Sequence, residues 1–410
     1  MTIFPRPAFS GSPTPGIDRF TSILFAIYVL VLPIGHTVAL RNLAFFTLAG
    51  LTLWLALRGR IKPVFPLVWP WLIYTVVAAF SLTYAVDPAY SLGEIKTEIG
   101  YSFLLLVLAA TWITNVERFT RLVWVLIAGN LFLVASSFYY AVPHLLQGTA
   151  FQVGALNIGV GKFSTYLVMI VPFIFAQIIL MPKPSRTGKM LLALLVAANI
   201  MAVYFTGNRA GVISLIVEAA LLSAMLLWRR PPNLSTPKIL AAFMLAVLLL
   251  GSLSINQVAN RAPDTPGIGD TITGDVRWGI WHDSLKNIAA LPYSGGGFGR
   301  DAFKLLNPDY PKSYPYVSHA HNTLLNMGVQ MGLPGIAVWL LLMVAVGRAL
   351  WIPLATTRSW SGSTIYAVAG IVMLIGLLVK LQTDDFFNRD IALLFWLLVG
   401  ALFSVHRSRR

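Results

Sequence analysis

Long apolar runs separated by short polar breaks dominate the chain. Twelve runs stand out: 20–39, 41–57, 65–83, 98–114, 119–142, 163–181, 188–206, 210–228, 237–255, 334–354, 363–382 and 389–406. Each is close to the ~20 residues that a helix needs to cross the hydrocarbon core. Backbone in lipid must satisfy its own hydrogen bonds, so the pattern predicts helices. The expected fold is an all-α polytopic membrane protein. Its parts are a tail at 1–19, nine spans within 20–255, a large loop at 256–333, three spans within 334–406 and a tail at 407–410. Two medium connections, 84–97 and 143–162, lie on the same side as the large loop. Inside that loop, 275–292 reads as an amphipathic helix. Val276, Ile280, Leu285 and Ile288 form its apolar stripe, Arg277, Asp283 and Lys286 lie off it, and Trp278 and Trp281 suit the headgroup level.

Composition agrees with the pattern. With 57% hydrophobic and 11% charged residues, the chain has more apolar surface than a soluble core of its size can bury. The formal charge of +15 raises the question of nucleic acid, but its distribution answers against it. With both termini in the cytoplasm, 18 of the 30 basic residues fall on the cytoplasmic side, beside only Asp18 and Glu117. The opposite side is close to neutral, and Glu218 falls inside a span. The excess is a positive-inside signature, so the large loop faces outward. There is no cysteine, and residues 1–16 contain no apolar stretch of signal-peptide type.

Polar chemistry concentrates on the outward side. "SHAHNTLLNMGVQMGLPG", 318–335, offers Ser318 as cap of a helix beginning near His319 or Ala320. Leu333-Pro334-Gly335 would end that helix and begin the next span. His321, Leu325, Gly328 and Gly332 would share a face, and a neutral imidazole there can accept a proton. The same histidines would equally serve as a polar helix start. His-Ala-His as a metal site would need further ligands, with Asp384 or Asp385 the candidates. "FTGNRAG", 205–211, carries Arg209 between two glycines, either as a membrane-boundary anchor or as a guanidinium fork for phosphate. Arg277 on the loop helix poses the same choice. "SGGGFGRDAF", 294–303, lacks the GK[ST] of a phosphate loop and reads as a tight turn packing the large loop. "QTDDFFNRD", 382–390, gathers Asp384, Asp385, Asn388, Arg389 and Asp390, with Lys380 four residues before Asp384 and able to pair with it. Glu218 is expensive in lipid and is expected to face the bundle.

In order, "TGNRAG", "DVRWGIWHDSL", "SGGGFG" and "HNTLLNMGVQMGLPG" resemble the O-antigen ligase and polymerase family, in detail over about 205–335. The resemblance implies a membrane glycosyltransferase in a Gram-negative inner membrane, acting at its periplasmic face in lipopolysaccharide biosynthesis. The donor would be an undecaprenyl-diphosphate-linked glycan and the acceptor lipid A–core oligosaccharide. Transfer would invert the anomeric centre without a metal or other cofactor. Matched by position, Arg209, Arg277 and His321 would be catalytic, the arginines also holding the diphosphate. His319, Asn322, Asp384, Asp385 and Arg389 are expected around the substrate. The same donor chemistry would serve a polymerase joining lipid-linked repeats. A secondary transporter or lipid flippase is a rival of another class. Polar residues gathered at one face, with only Glu218 deep, argue against it.

Overall fold

The computed structural model describes residues 15–148, 151–182, 185–229, 276–313, 317–357 and 359–407, together with isolated helical positions between 237 and 252. The expected span 237–255 and the first part of the large loop lie largely outside the described residues, as do most of the N-terminal tail and residues 408–410. Fifteen α-helices follow one another among the described residues. They are α1 Pro15–Val31, α2 Val38–Leu57, α3 Val68–Ser81, α4 Pro88–Glu94, α5 Tyr101–Trp112, α6 Val116–Gln147, α7 Val160–Leu180, α8 Arg186–Phe205 and α9 Arg209–Arg229. Three short helices, α10 Val276–Ala290, α11 Ala302–Leu306 and α12 Tyr310–Ser313, come next, and α13 Thr323–Thr356, α14 Gly362–Lys380 and α15 Arg389–Arg407 complete the series. Nine helical stretches among the described residues are long and apolar enough to cross a membrane, and Val68–Tyr84 is a shorter apolar one. The protein is an all-α polytopic membrane protein.

Helix ends follow local chemistry. Pro33 cannot donate to a continuing helix, so α1 stops at Val31 rather than running to 39. The connection expected at 84–97 is helical instead: α4 passes through one π-helical turn, Ile95–Gly100, directly into α5. Asp87 starts it, accepting the Tyr90 amide at 2.9 Å, with Pro88 in the first helical position.

The bundle centres on α7, almost every residue of which is buried in protein rather than turned outward, whereas α2 is peripheral. α14 packs along α7 and α9, α15 along α5, and α13 along α3. Small residues permit these approaches: a side chain at Gly400 of α15 would collide with the Leu106 carbonyl of α5. Glu218 of α9 is buried against Gly376 of α14, facing the bundle as the sequence suggests. Asn130 and Asn199 exchange amide hydrogen bonds of 2.8 and 2.9 Å between α6 and α8, a polar fastening inside an apolar bundle.

In α10 the buried stripe is Ile280, Ser284 and Ile288. Leu285, expected on that stripe, is 56% exposed, because i, i+4, i+8 spacing selects the serine and turns Leu285 away. Trp278 is also exposed.

Candidate functional site

α13 is two helices joined at a bend. Gly332 adopts φ 66°, and a side chain there would collide with the Pro292 carbonyl. The bend frees two carbonyls. The Leu333 amide leaves the Val329 carbonyl to donate to Pro292 O at 2.8 Å, and Pro334 has no N–H to give Gln330. The glycine turn takes both: Gly296 N donates to Val329 O at 2.8 Å and Gly297 N to Gln330 O at 3.0 Å. Gly299 N adds a bond to Gln330 Oε1 at 2.9 Å. Gly295, Gly297 and Gly299 have φ of 65°, 106° and 137°, which side chains other than hydrogen disfavour. The expected tight turn is therefore a clamp on the broken helix, and its product is the position of Arg300.

At the other end of the first piece, the structure corrects the expected helix start. Asn322, not Ser318, is the N-cap, its Oδ1 accepting the Leu325 amide at 3.0 Å. Thr323 N is tied to Leu381 O at 2.9 Å, and Asn322 Nδ2 to Gln382 O at 2.9 Å. His321 takes a left-handed φ of 50°. The helix cannot begin before it, so His321 does not share a helical face with Leu325, Gly328 and Gly332. Both histidines lie in the loop before the helix, rings 4.1 Å apart.

That loop meets the 381–388 connection, where the two carboxylates part ways. Asp384 accepts from Lys380 Nζ at 3.0 Å and Asn208 Nδ2 at 2.7 Å, and lies 3.6 Å from His321 Nδ1. Burial pushes its pKa up, but His321, Lys380 and Asn208 outweigh burial and hold the carboxyl well below its ordinary value. Asp385 accepts from Thr323 Oγ1 at 2.9 Å and Asn326 Nδ2 at 2.8 Å. Here burial wins and raises the pKa despite Arg300 and these two donors.

The histidines differ as well. His319 is 4% exposed, and its Nε2 is 2.8 Å from Arg300 Nη2. An arginine can only donate, so Nε2 is the acceptor. Burial, then Arg300 and His321, lower its pKa to about 2, so it stays neutral. His321 is more open, with 20% of its side chain exposed. With Nδ1 toward Asp384, its Nε2 is the ring nitrogen turned away from that carboxylate.

Three further groups shape the site. Arg300 donates through Nε and Nη2 to Asp385 O at 3.2 and 2.7 Å. Phe386 lies under Arg300 Cζ at 5.3 Å and near Lys380 Nζ at 5.7 Å. Arg277 is half-buried and acts electrostatically on both His319 and Lys380, so α10 reaches the same cluster.

The expected residues are thus partly gathered. His319, His321, Asp384, Asp385 and Arg277 converge, and Lys380 pairs with Asp384 as its spacing suggests. Arg209 is exposed at the start of α9, beside Asn208, whose Oδ1 caps that helix through Gly211 N at 3.0 Å. Asn322 spends its side chain on the cap and on Gln382. Arg389 faces elsewhere: its amide donates to both oxygens of Glu98, and its guanidinium is 3.9 Å from Glu94. Arg300, Asn208 and Thr323 are the additions.

His319, His321 and Asp384 each place one donor atom within 4.8 Å of the others. A dication shared among them would lie between Arg300, already on His319, and Lys380, already on Asp384. The cluster suits movement of a proton better than binding of a second cation.

Residues 192–340 match the model of a family described as O-antigen ligase. The match spans about a third of the chain and supports an O-antigen ligase family assignment. The matched segment holds Arg209, Arg277, Arg300, His319 and His321, and it ends before Lys380, Asp384 and Asp385. The matched segment thus holds the arginines and histidines, while α14 supplies Lys380 and the connection after it the two carboxylates, Asp384 beside His321 and Lys380, and Asp385 on Thr323 and Asn326. No curated protein matches the chain. The match supports an O-antigen ligase- or polymerase-type function.

Proposed function

We propose that the protein is the ligase of this family. It would transfer O-antigen polysaccharide from undecaprenyl-diphosphate to lipid A–core oligosaccharide at the periplasmic face of the inner membrane. The observation that carries the reading is the His321–Asp384 pair, 3.6 Å apart, among cationic side chains at one end of the bundle.

In the proposed reaction, an acceptor sugar hydroxyl attacks the anomeric carbon of the donor glycan. His321 Nε2 takes the hydroxyl proton as the new C–O bond forms, and Asp384 stabilises the imidazolium. The bond from the anomeric carbon to the diphosphate oxygen breaks, and its electron pair leaves with the phosphate. Arg209 and Arg277 offset that developing charge. Displacement from the opposite face inverts the anomeric centre. Neutral His319 and Arg300 hold the 381–388 connection behind the base, and this scheme asks nothing of a metal ion.

The test uses purified full-length protein, undecaprenyl-diphosphate glycan and rough lipopolysaccharide, comparing wild type with His321→Ala. Transfer by wild type alone is the expected result, with a loss of about 100-fold or more for removal of a general base. A variant as active as wild type would remove His321 from the chemistry. A wild type that lengthens the lipid-linked glycan and leaves the core unmodified would make the protein a polymerase. EDTA is expected to leave turnover unchanged, and loss restored by one divalent ion would overturn the metal-free scheme.

A further inference from the structure

At the end of the bundle opposite His321, the last turns of α9 and α13 carry an exposed patch that is both aromatic and basic. Trp228 and Trp351 are 58% and 43% exposed, yet their rings stack within 6° of parallel, with centroids 5.7 Å apart. The guanidinium of Arg229 lies over the Trp228 ring, its Cζ 4.7 Å from the centroid. Arg229 Nη1 donates to Thr357 O at 2.7 Å, and the Arg229 carbonyl accepts from Trp360 Nε1 at 3.0 Å. Arg229 is therefore held in place, while its Nη2 has no hydrogen-bond partner among the described residues.

Arg348 is the costly member of the patch. It is exposed and stands three residues before Trp351, on the same face of α13. Sixteen residues separate it from the bend at Gly332, about 24 Å of helix against a hydrocarbon core of about 30 Å. Its backbone thus lies at the depth of the lipid chains, where an unpaired guanidinium is expensive. The side chain must run toward the headgroups, past the paired indoles. No acidic side chain among the described residues pairs with it. Arg229 lies twenty residues after Arg209, about 30 Å along α9, and so stands at the boundary itself. Two guanidiniums at one pair of exposed rings leave positive charge that a shared anion would offset. The phase beside them supplies one, the lipid phosphate.

We propose that this patch binds one anionic phospholipid, its phosphate between Arg229 and Arg348 and its ester region on the Trp228–Trp351 pair. A zwitterionic headgroup presents the same phosphate with an ammonium attached, which the guanidiniums repel, so the site reads the net charge of the headgroup. A lipid bound there joins the far ends of α9 and α13. The near end of α9 carries Arg209, and the near end of α13 follows His321, so the lipid braces from the opposite leaflet the two helices that frame the site. The inference stands apart from the reaction proposed at that site.

Native mass spectrometry of the delipidated full-length protein tests this, with phosphatidylglycerol and phosphatidylcholine of matched chains added in equal amounts. Wild type is expected to retain one phosphatidylglycerol, with a preference of about tenfold or more over phosphatidylcholine. Arg348→Gln removes no contact among the described residues and should weaken that retention by about fivefold, as should Arg229→Gln. Trp228→Leu should weaken it by about twofold or more. Arg58 is the control, because its guanidinium lies 5.0 Å from the Trp54 centroid at the end of α2 with no second ring stacked on that indole among the described residues. Arg58→Gln should leave retention unchanged. An unaltered Tm in phosphatidylcholine nanodiscs certifies that a variant is folded. The proposal is overturned if wild type retains both lipids equally, or if folded Arg348→Gln retains phosphatidylglycerol as wild type does. It is equally overturned if Arg58→Gln loses as much, which would make the effect one of general surface charge. A wild-type dimer that Trp351→Leu separates would also overturn it, by giving the patch to a second copy of the chain.

Discussion

Lys380→Met tests the electrostatic frame of the site most directly. Lys380 is fully buried, its Nζ 3.0 Å from an oxygen of Asp384 that is itself 4% exposed. At that separation and an effective dielectric of 20, the attraction is about 5 kcal/mol. Methionine fills a similar volume, so packing changes little and the loss is chiefly electrostatic. Asp384 would keep Asn208 and the more distant His321, too little to hold a buried carboxylate. Breaking a buried pair from one side typically costs about 3–5 kcal/mol. Thermal unfolding of the detergent-solubilised protein reads the loss, and a cycle with Asp384→Asn isolates the pair. The double variant should recover part of the loss, because it leaves no unmatched charge. A single-variant cost below about 1 kcal/mol, the range of a solvated pair, would refute the reasoning.

Three further outcomes follow from the same geometry. His319 has a folded pKa of about 2, against about 6.5 unfolded, so acid protonates only the unfolded chain. Stability should fall as pH drops below that unfolded value, by about 2 kcal/mol at pH 5, and His319→Gln should flatten the dependence in pH-resolved melting. Arg300→Lys cannot reproduce two donors on Asp385 O and one on His319, so kcat should fall about tenfold or more with little change in donor KM; wild-type kcat would show that the fork is dispensable. Gly332→Ala forces a side chain into left-handed backbone against Pro292 O and should cost at least about 1–3 kcal/mol, read as a lowered Tm.

What the sequence discloses and what it withholds divide by range. Apolar run length, the Lys380–Asp384 spacing and the break at Leu333-Pro334-Gly335 are local signals, and the structure contains each feature. The start of α13 is local only in part. Ser318 and Asn322 are comparable caps by residue type, and contacts with Leu381 and Gln382 decide between them. Arg300 was hidden because its place depends on glycine amides meeting carbonyls about thirty residues away, freed by a bend that only the folded helix reveals. Asn208 was hidden because its partner Asp384 is 176 positions distant. A signal existed at both: an asparagine directly before a helical Arg, and the one cation closing a glycine turn.

The charges of the site are also held by the direction of its helices. Asp385 sits at the N-terminus of α13 through Thr323 and Asn326, and Asp384 meets the N-cap residue of α9 through Asn208. Lys380 is the last residue of α14, at its carbonyl end. Helix N-termini carry partial positive charge and C-termini partial negative charge, so each group faces the end that favours its sign. Carboxylates and lysine are thus neutralised by the fold itself and by one another. Arg277, close enough to act on His319 and Lys380, and exposed Arg209 at the start of α9 are the two arginines that the proposed reaction gives to the diphosphate. In that proposed reaction the two guanidiniums, beside His321 as the base, would offset the charge of an anionic leaving group departing from a sugar. Reversing either arginine to glutamate should therefore weaken the diphosphate donor far more than the acceptor, and equal effects on both KM values would count against this division of labour.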